Sequence, residues 1–439
     1  MKVLITGLFT QAGIFAIRRF GKMGFDVTAA DNHCLAFGMY SKYVKKRLLL
    51  PSLRKEPVKY AEAILSELEK RQYDYYFPAF EELYLMSNYR DRIHKLCKTV
   101  IPPYSEIMAM HDKSSLKKVV EDSGAHYPQT FSPASYAAFT EIAQKINRPV
   151  YIKMRRTRNS TGLRLVENPE QLKSFYDDVI QRNKLEEHEL PIIQQRINGP
   201  EIAYSALTQD GEVIGESQHV GIRYIPRSGG TTTCRKSIFN AMVSESGKKF
   251  IKHINWTGFI SIDYMVDSDS GIPYIIDVNP RASVCVNVGY YGGVDMIPEW
   301  VKIANGEKAF VLPRIKPEIK SSTHFADVMW LIYTFTKGPE TWKERAALRK
   351  QWWQNRQEIH YDIIDKKDKM PRFVLNMFLF LQFVKIIVTK LEASNLFLYY
   401  NTYHEDVFFE QIKAESRNQI TLNPEKQMEM CTNVVGDGV

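Results

Sequence analysis

The sequence predicts a protein of mixed α/β and α+β class, with a doubly wound parallel sheet first and a two-lobed unit after it. Short apolar runs alternate with helical stretches from residue 1 to about residue 105. Residues 191 to about 310 contain strands of antiparallel type, and past about residue 320 the composition becomes basic and aromatic. With 439 residues, of which 44% are hydrophobic, the chain is long enough for several domains.

The first 105 residues have the rhythm of a parallel sheet. The strand VLITG is followed by a helix over 13–23, the strand FDVTAAD, a helix over 57–70 and the strand YDYYFPAF. This alternation predicts β-α-β units. Asp31 at the end of the second strand raises a nicotinamide site as an alternative. The stretch from Gly7 to Gly13 lacks the GxGxxG spacing, so we do not expect a dinucleotide there.

Four units are predicted along the chain. The parallel-sheet domain covers 1–105, and a small α+β unit over 106–190 contains the strand PVYIKMR and the loop RTRNSTG. An antiparallel sheet is expected over 191–318, and a basic, aromatic and mainly helical region over 319–439.

Charge and cysteine content limit the classes of function. A formal net charge of +9 is compatible with nucleic acid, an anionic membrane surface or polyanionic ligands such as nucleotides. No nucleic-acid-binding motif is present, so we expect no nucleic-acid partner. Five scattered cysteines without CxxC spacing favour a reducing cytoplasm, and the first residues lack the features of a signal peptide. A homodimer is one option for assembly.

The apolar segment Phe373–Val388 leaves three alternatives open. It is interrupted by Asn376, Gln382 and Lys385, and it is short for a membrane span. It is compatible with a core helix of the C-terminal unit, with an interfacial helix on anionic lipid, or with a span. We therefore expect a cytoplasmic protein, with peripheral membrane contact through residues 319–439 as an alternative.

A hairpin with acidic strands is the strongest chemical signal in the sequence. Two aliphatic runs between Gly258 and Ser283 flank the turn DSDSG, and the second run ends in Asn-Pro-Arg. Asp277, Asn279 and Arg281 share a face because residues two apart on a strand point the same way, and the turn brings Asp263 alongside. Buried acids side by side are costly unless a cation binds, so we predict a Mg²⁺ site here.

This hairpin resembles the metal signature of the ATP-grasp superfamily, and the resemblance covers roughly the first 310 residues. The likeness is greatest to the carbamoyl-phosphate-synthase and biotin-carboxylase type, whose signature is an acid, one residue, then Asn-Pro-Arg. The acid here is Asp277, where Glu is commoner. The resemblance implies a pre-ATP-grasp domain over 1–105, a lid subdomain over 106–190 and a catalytic subdomain over 191–318.

The phosphate-binding parts of the family have counterparts in this sequence. Lys113 matches the lysine before the lid, and Lys153 matches the lysine on a lid strand. The loop between lid strands, RRTRNSTG, matches the family's glycine-rich loop, with arginines in place of most glycines. Ser160, Thr161 and Gly162 are its expected phosphate ligands.

The stretch PIIQQRINGPEIAYSAL resembles the family's adenine-hinge strand. By this resemblance Gln194, with its neighbour Gln195, meets the adenine, and Ile197 offers its backbone. Glu201 matches the acid that holds the ribose hydroxyls. Glu201, taken singly, is also compatible with a solvated strand position.

Two further groups are expected to contact the substrate. Glu81 and Glu82 follow the strand YDYYFPAF at the edge where parallel sheets bind ligands; surface helix caps are the alternative. Arg223 and Arg235 lie in GIRYIPRSGGTTTCRKS, just before the hairpin, and are expected at the substrate carboxylate or acylphosphate. Solvated loop arginines are the alternative for this pair.

The resemblance implies an ATP-dependent carboxylate–amine ligase that acts through an acylphosphate and releases ADP and phosphate. Mg²⁺, with Mn²⁺ as an alternative, would be held by Asp263, Asp277 and Asn279. The expected catalytic residues are Arg281, Lys153 and Arg235. Carboxyphosphate or carbamoyl-type chemistry, a small-molecule phosphotransferase and a nucleotide-binding scaffold are the alternatives. The sequence does not identify the small-molecule carboxylate and amine.

Overall fold

Three β-sheets organise the chain in the computed structural model, which describes residues 1–155, 163–225, 231–336, 341–389, 407–412 and 414. One sheet is parallel and belongs to the N-terminal part, one is a small antiparallel sheet, and the largest has seven strands. The α/β and α+β class predicted from the sequence is therefore confirmed.

The N-terminal sheet has four parallel strands. Alternate side chains of its first strand belong to two different hydrophobic clusters: Leu4 to the cluster of Tyr60, and Val3 and Ile5 to the cluster of Phe20. Both faces of the sheet are therefore covered by apolar side chains. The strands, in the order β3-β2-β1-β4, and the helices of this part are β1 (Lys2–Thr6), α1 (Gln11–Lys22), β2 (Asp26–Asp31), β3 (Val44–Leu49), α2 (Pro57–Lys70), β4 (Tyr75–Pro78), α3 (Glu82–Met86), α4 (Arg90–Leu96) and α5 (Tyr104–His111).

A smaller lobe follows, with its own core. Phe139 stacks on Tyr176 at 3.8 Å between ring centroids, and Ile152 and Ile193 pack in the same cluster. The sheet has the order β5-β8-β6-β7, and the elements are α6 (Lys113–Asp122), β5 (Thr130–Phe131), α7 (Tyr136–Lys145), β6 (Val150–Lys153), β7 (Arg164–Val166), α8 (Leu172–Asn183) and β8 (Ile192–Gln195).

The largest sheet carries the predicted metal hairpin. Its strands β13, β12, β9, β10 and β11 lie side by side in that order, all antiparallel. The elements are β9 (Glu201–Gln209), β10 (Glu212–Ile225), β11 (Thr231–Ile238), α9 (Ala241–His253), β12 (Gly258–Val266), β13 (Pro273–Asn279), α10 (Val286–Tyr291) and α11 (Met296–Ala304).

The C-terminal region is mainly helical, as predicted, but it also extends the largest sheet. Two three-residue strands continue the sheet beyond β11, the first antiparallel to β11 and the second parallel to the first. The elements are β14 (Lys320–Ser322), α12 (His324–Thr336), α13 (Trp342–Asn355), β15 (Ile359–Tyr361) and α14 (Met370–Thr389). The four predicted unit boundaries stay predictions.

Buried ion pairs fix this region to the rest of the molecule. Each joins an arginine of the N-terminal part or the large sheet to an aspartate of the C-terminal region. These pairs are Arg18–Asp368, Arg223–Asp327 and Arg235–Asp362. In each, the aspartate side chain is at most 1% exposed, so the loss of one partner leaves a buried charge.

Helix α14 contains the apolar segment for which the sequence left three alternatives. Val374, Leu375 and Phe378 are buried, and the Phe378 ring lies 4.8 Å from that of Phe9 in the N-terminal part. Phe373 and Phe380 are exposed. Among the helices that the structure describes, none combines the length and the apolarity that crossing a membrane requires.

Candidate active site

The two acids of the hairpin face each other across neighbouring strands. In the ladder between β12 and β13, Asp263 lies directly opposite Asp277, and Ser261 lies opposite Asn279. A register shift follows immediately after the Asp263 pair, so one extra residue of β13 kinks the ladder beside the acids. Opposite residues share a face, which brings Asp263, Asp277 and Asn279 together.

Lys113 supplies a positive charge to this acid pair. Its Nζ lies 3.0 Å from Oδ1 of Asp277, and its side chain is only 10% exposed. The side chain of Asp112 caps helix α6 by accepting from the backbone of Ser114, and this cap fixes the position of Lys113 at the first helical residue. Burial raises the pKa of Asp277, but Lys113 and Lys153 outweigh it, so this pKa lies below its ordinary value.

Asp263 has the opposite behaviour. Burial, together with the negative charges of Glu201 and Asp277, raises the pKa of Asp263 to about 8. Burial and like charges keep this carboxyl group protonated near neutral pH, and a cation that binds between the acids would favour its ionised form. Asp263, Asp277 and the amide oxygen of Asn279 are ligands of the kind that Mg²⁺ prefers, so this donor set fits the predicted ion.

The oxygens at this site are too few to enclose an ion completely. Within the described ranges, no three His, Cys, Asp or Glu side chains come together as metal ligands. Mg²⁺ is commonly held by one or two carboxylates, with phosphate and water oxygens completing the octahedron. The arrangement therefore suits a metal ion that arrives with a nucleotide.

Arg281 connects the hairpin to the N-terminal domain. Its Nη2 donates to Oδ1 of Asn279 at 3.2 Å and lies 3.7 Å from Oε1 of Glu81. Its guanidinium carbon stands 4.3 Å above the ring of Phe80, a cation–π contact. The Nε atom is buried without a hydrogen-bond partner among the described residues. Arg281 thus keeps one unused donor.

Lys153 lies on the face of the small sheet that is turned away from the lobe's core. It is directly opposite Ile192, and Tyr151 is opposite Gln194, so Lys153 and Gln194 share one face. Burial and the nearby charge of Lys113 lower the pKa of Lys153 to about 8, against the opposing effect of Asp277. A buried lysine with this pKa would regain its full charge when phosphate approaches.

The residues of the predicted adenine hinge lie between the two lobes. The Gln194 side chain is buried and donates to Oγ1 of Thr130 at 3.0 Å, so its amide nitrogen is already engaged. The backbone nitrogen of Gln195 donates to the carbonyl of Gln129, and Ile197 is buried. Their contact with adenine stays a prediction.

Glu201 lies on the same strand face as Asp263. It is two residues before Ala203, which is directly opposite Asp263. Glu201 is exposed as a residue, but the protein atoms around its carboxyl group partly desolvate it; this desolvation and the charge of Asp277 raise its pKa, and Lys153 opposes the shift. Glu201, Asp263, Asp277 and Lys153 therefore form one electrostatic group.

The loop that is predicted to bind phosphate is described only at its beginning. Ser160, Thr161 and Gly162 lie outside the described residues. Arg155, just before them, lies with its Nη2 2.5 Å from Oγ of Ser114, and its carbonyl accepts from the backbone nitrogen of Lys113. The lid strand is thus tied to the helix that carries Lys113.

The two glutamates after β4 have different surroundings. Glu81 is directed to Arg281, whereas Glu82 is directed into the N-terminal domain, where its Oε1 accepts from Oγ1 of Thr6 at 2.9 Å. The carboxylate of Glu82 packs so closely on Gly7 that a side chain there would meet it at 2.6 Å; the φ of Gly7 is +72°. The predicted contact of both glutamates with substrate stays a prediction.

Arg223 and Arg235 are both held by aspartates of the C-terminal region. Arg223 makes a bidentate contact with Asp327, at 2.5 and 2.8 Å. Arg235 is fully buried and pairs with Asp362, and its Nε donates to Ser321. Their charges are therefore compensated within the protein, and their predicted roles at a substrate stay predictions.

The comparisons with known proteins concern the part of the chain that carries this site. Residues 110–284 match the family described as the ATP-grasp domain. The resemblance to the ATP-grasp superfamily stated from the sequence is confirmed over this range. The matched range includes Lys113, Lys153, Asp263 and the whole metal signature.

Solved structures of the same fold are remote in sequence. The biotin carboxylase domain of the 2-oxoglutarate carboxylase of Hydrogenobacter thermophilus, a dimer in complex with MgADP, ADP and bicarbonate, is 20% identical, with a TM-score of 0.59 over 73% of each chain. A biotin carboxylase of Campylobacter jejuni is 21% identical, with a TM-score of 0.59 over 73% of this chain and 74% of its own.

A third such structure is an N5-carboxyaminoimidazole synthetase of Staphylococcus aureus complexed with ADP. It is 15% identical, with a TM-score of 0.52 over 72% of this chain and 79% of its own. These neighbours are enzymes of the ATP-grasp fold, in agreement with the expectation of an ATP-grasp enzyme from the sequence.

Proposed function

We propose that this protein is an ATP- and Mg²⁺-dependent ligase that joins a small-molecule carboxylate to an amine. The observation that carries the proposal is the convergence of opposed acids, two lysines and one arginine beside a single strand face. Lys113 contacts Asp277, Lys153 lies within electrostatic reach of the acids, and Arg281 contacts Asn279. Phosphoryl transfer needs mainly positioned charge of this kind.

Asp263, Asp277 and Asn279 would hold Mg²⁺, which supplies Lewis-acid polarisation of the phosphate oxygens when bound. Lys113 and Lys153 would neutralise the charge of the triphosphate. Attack by the substrate carboxylate on the γ-phosphorus would break the bond to ADP and leave an acylphosphate. The amine would then attack the acyl carbon, phosphate would leave, and the amine's excess proton would be released to solvent or base.

Arg281 would act at the acceptor side of this reaction. Glu81 and Phe80 hold its guanidinium from the N-terminal domain, while Asn279 holds it from the hairpin. Its guanidinium, which is 13% exposed, would then face the transferred phosphoryl group, where a fixed positive charge stabilises developing negative charge. The N-terminal domain would in this way help to bind the acceptor.

Carboxyphosphate chemistry on bicarbonate is the second proposed function. The bicarbonate bound together with MgADP in the H. thermophilus domain favours it, because the same cleft would activate either carboxylate. That domain is a dimer, which likewise supports a homodimer as our proposal for assembly.

Product analysis distinguishes these chemistries. Purified protein is incubated with Mg²⁺ and ATP, with pooled carboxylates and amines or with bicarbonate alone. The ligase predicts ADP and phosphate in amounts that depend on both pools. Release of ADP and phosphate that depends on bicarbonate alone would support carboxyphosphate chemistry instead of the ligase reaction. Release of AMP and pyrophosphate would refute both proposed functions. Asp269→Asn, in the exposed turn of the same hairpin, is the control for Asp277→Asn.

A further inference from the structure

A cavity of about 420 Å³ lies between the large sheet and the helices of the C-terminal region. One wall consists of residues on β10, β11 and β14, and the other consists of residues on α12 and α13. None of the residues proposed above to hold ATP or Mg²⁺ lines it. Its volume lies in the range of about 300 to 1,000 Å³ that is typical of small-molecule sites.

The strand wall presents two lysines side by side. Lys236 on β11 lies directly opposite Lys320 on β14, and both line the cavity. Like charges opposite each other on neighbouring strands are destabilising unless an anion compensates them. Lys236 pairs with Glu318 at 2.9 Å and Lys320 pairs with Glu358 at 2.8 Å.

Those two ion pairs are easily replaced. The side chains of Glu318 and Glu358 are each 68% exposed, so water competes for both carboxylates. Exposed ion pairs of this kind contribute little free energy, because their gain is offset by solvation and side-chain entropy. An anion held more deeply in the cavity would therefore displace the glutamates at small cost.

The helix wall is aromatic and held in place. Trp330 is only 4% exposed, and the guanidinium of Arg223 stands 5.5 Å above its ring. Nε1 of Trp352 donates at 2.8 Å to Oδ2 of Asp327, the same aspartate that holds Arg223. One buried aspartate thus fixes both the arginine and the second tryptophan. The aromatic wall is formed before any ligand arrives.

We propose that this cavity binds a small amphipathic anion, namely a carboxylate or phosphate carried on an aromatic or other flat apolar body. The anionic group contacts Lys236 and Lys320, and the apolar body packs on Trp330 and Trp352. The cavity shares no lining residue with the proposed ATP and Mg²⁺ site, and its occupation does not require the ligase reaction. Because residues of the C-terminal region form half of it, the cavity also gives that region a ligand-binding role.

Phenyl phosphate is the probe for this proposal, used with the full-length protein carrying 5-fluorotryptophan. The ¹⁹F resonances of Trp330 and Trp352 are assigned with single Trp→Phe variants. The resonances of the buried Trp256 and Trp300 report on the fold. We expect phenyl phosphate to cause saturable shifts of the Trp330 and Trp352 resonances and no shift of the Trp256 and Trp300 resonances. An excess of MgADP should not reverse these shifts.

Charge-deletion variants and a smaller anion separate the parts of the site. Lys236→Met and Lys320→Met should each weaken phenyl phosphate binding about tenfold, since a charge-assisted hydrogen bond is lost. Lys249→Met, which removes an exposed lysine paired with Glu245, should leave the affinity unchanged. Inorganic phosphate should bind about tenfold more weakly than phenyl phosphate, because it cannot use the aromatic wall.

Three results would overturn the proposal. They are the absence of saturable shifts at Trp330 and Trp352, affinities that are the same in both lysine variants and in Lys249→Met, and full reversal of the shifts by MgADP. Equal affinities for phenyl phosphate and inorganic phosphate would refute the role given to the tryptophans.

Discussion

Lys113→Met removes the ammonium group that lies 3.0 Å from Oδ1 of Asp277 while keeping the apolar stem of the side chain. In the proposed reaction this ammonium also meets the nucleotide phosphates. A hydrogen bond to a charged group contributes about 1.5 to 3 kcal/mol. We therefore expect the dissociation constant for ATP to rise about 10- to 150-fold.

Isothermal titration calorimetry with MgATP measures this change, and a second lysine of the same helix provides the control. Lys118 is exposed on α6, so Lys118→Met removes the same charge from the same element without touching the acids. Its affinity should match that of the unmodified protein. If Lys113→Met and Lys118→Met bind MgATP equally well, then Lys113 does not contact the phosphates and the reasoning is wrong.

Three further outcomes are expected. Burial raises the pKa of Asp263 to about 8, so Mg²⁺ must displace a proton from this carboxyl group at pH 7. The affinity of the nucleotide-free protein for Mg²⁺ should therefore increase about tenfold for each unit of increasing pH up to pH 8, and then stay constant. A flat pH profile would contradict this. Arg18→Met leaves the buried Asp368 without its ion pair and should cost about 3 to 5 kcal/mol in urea unfolding, whereas the exposed Lys59→Met should cost less than about 0.5 kcal/mol. Equal losses would refute the anchoring role of this ion pair. Glu81→Gln should lower kcat with KM for ATP unchanged, since Glu81 positions the arginine of the metal signature and not the nucleotide; a rise in KM alone would oppose that role.

The pairing of the acidic hairpin was predictable because its signals are local. A period of two places Asp277 and Asn279 on one face, and a short turn between the strands brings Asp263 opposite Asp277. The contact of Lys113 with Asp277 spans a much longer stretch of chain and was not predicted, because the resemblance placed Lys113 at the nucleotide phosphates and Asp277 at the metal ion.

The partners of Arg223 and Arg235, which lie on β10 and β11 and not in a loop, could not be found in this way. Arg223 and Asp327 are 104 residues apart, and Arg235 and Asp362 are 127 residues apart. The strands β14 and β15 have three residues each, too few for a periodic pattern to be recognised. Their place in the sheet depends on tertiary pairing with β11, which no local signal encodes.

Phe80 was also missed as a contact of Arg281. Its place in FPAFEE is apolar and typical of a strand end, and the cation–π geometry forms only when the N-terminal domain packs on the hairpin. An aromatic residue directly before two predicted substrate contacts is the signal that could have indicated it.

The most direct test of the proposed ligase is turnover in Asp277→Asn and Asp269→Asn, compared by ADP release with Mg²⁺, ATP and the pools of carboxylates and amines. Both changes neutralise one aspartate of the hairpin region, but only Asp277 faces Asp263 and contacts Lys113. We expect pool-dependent ADP and phosphate from the unmodified protein and from Asp269→Asn, and none from folded Asp277→Asn. Full turnover in Asp277→Asn would contradict the assignment of the site.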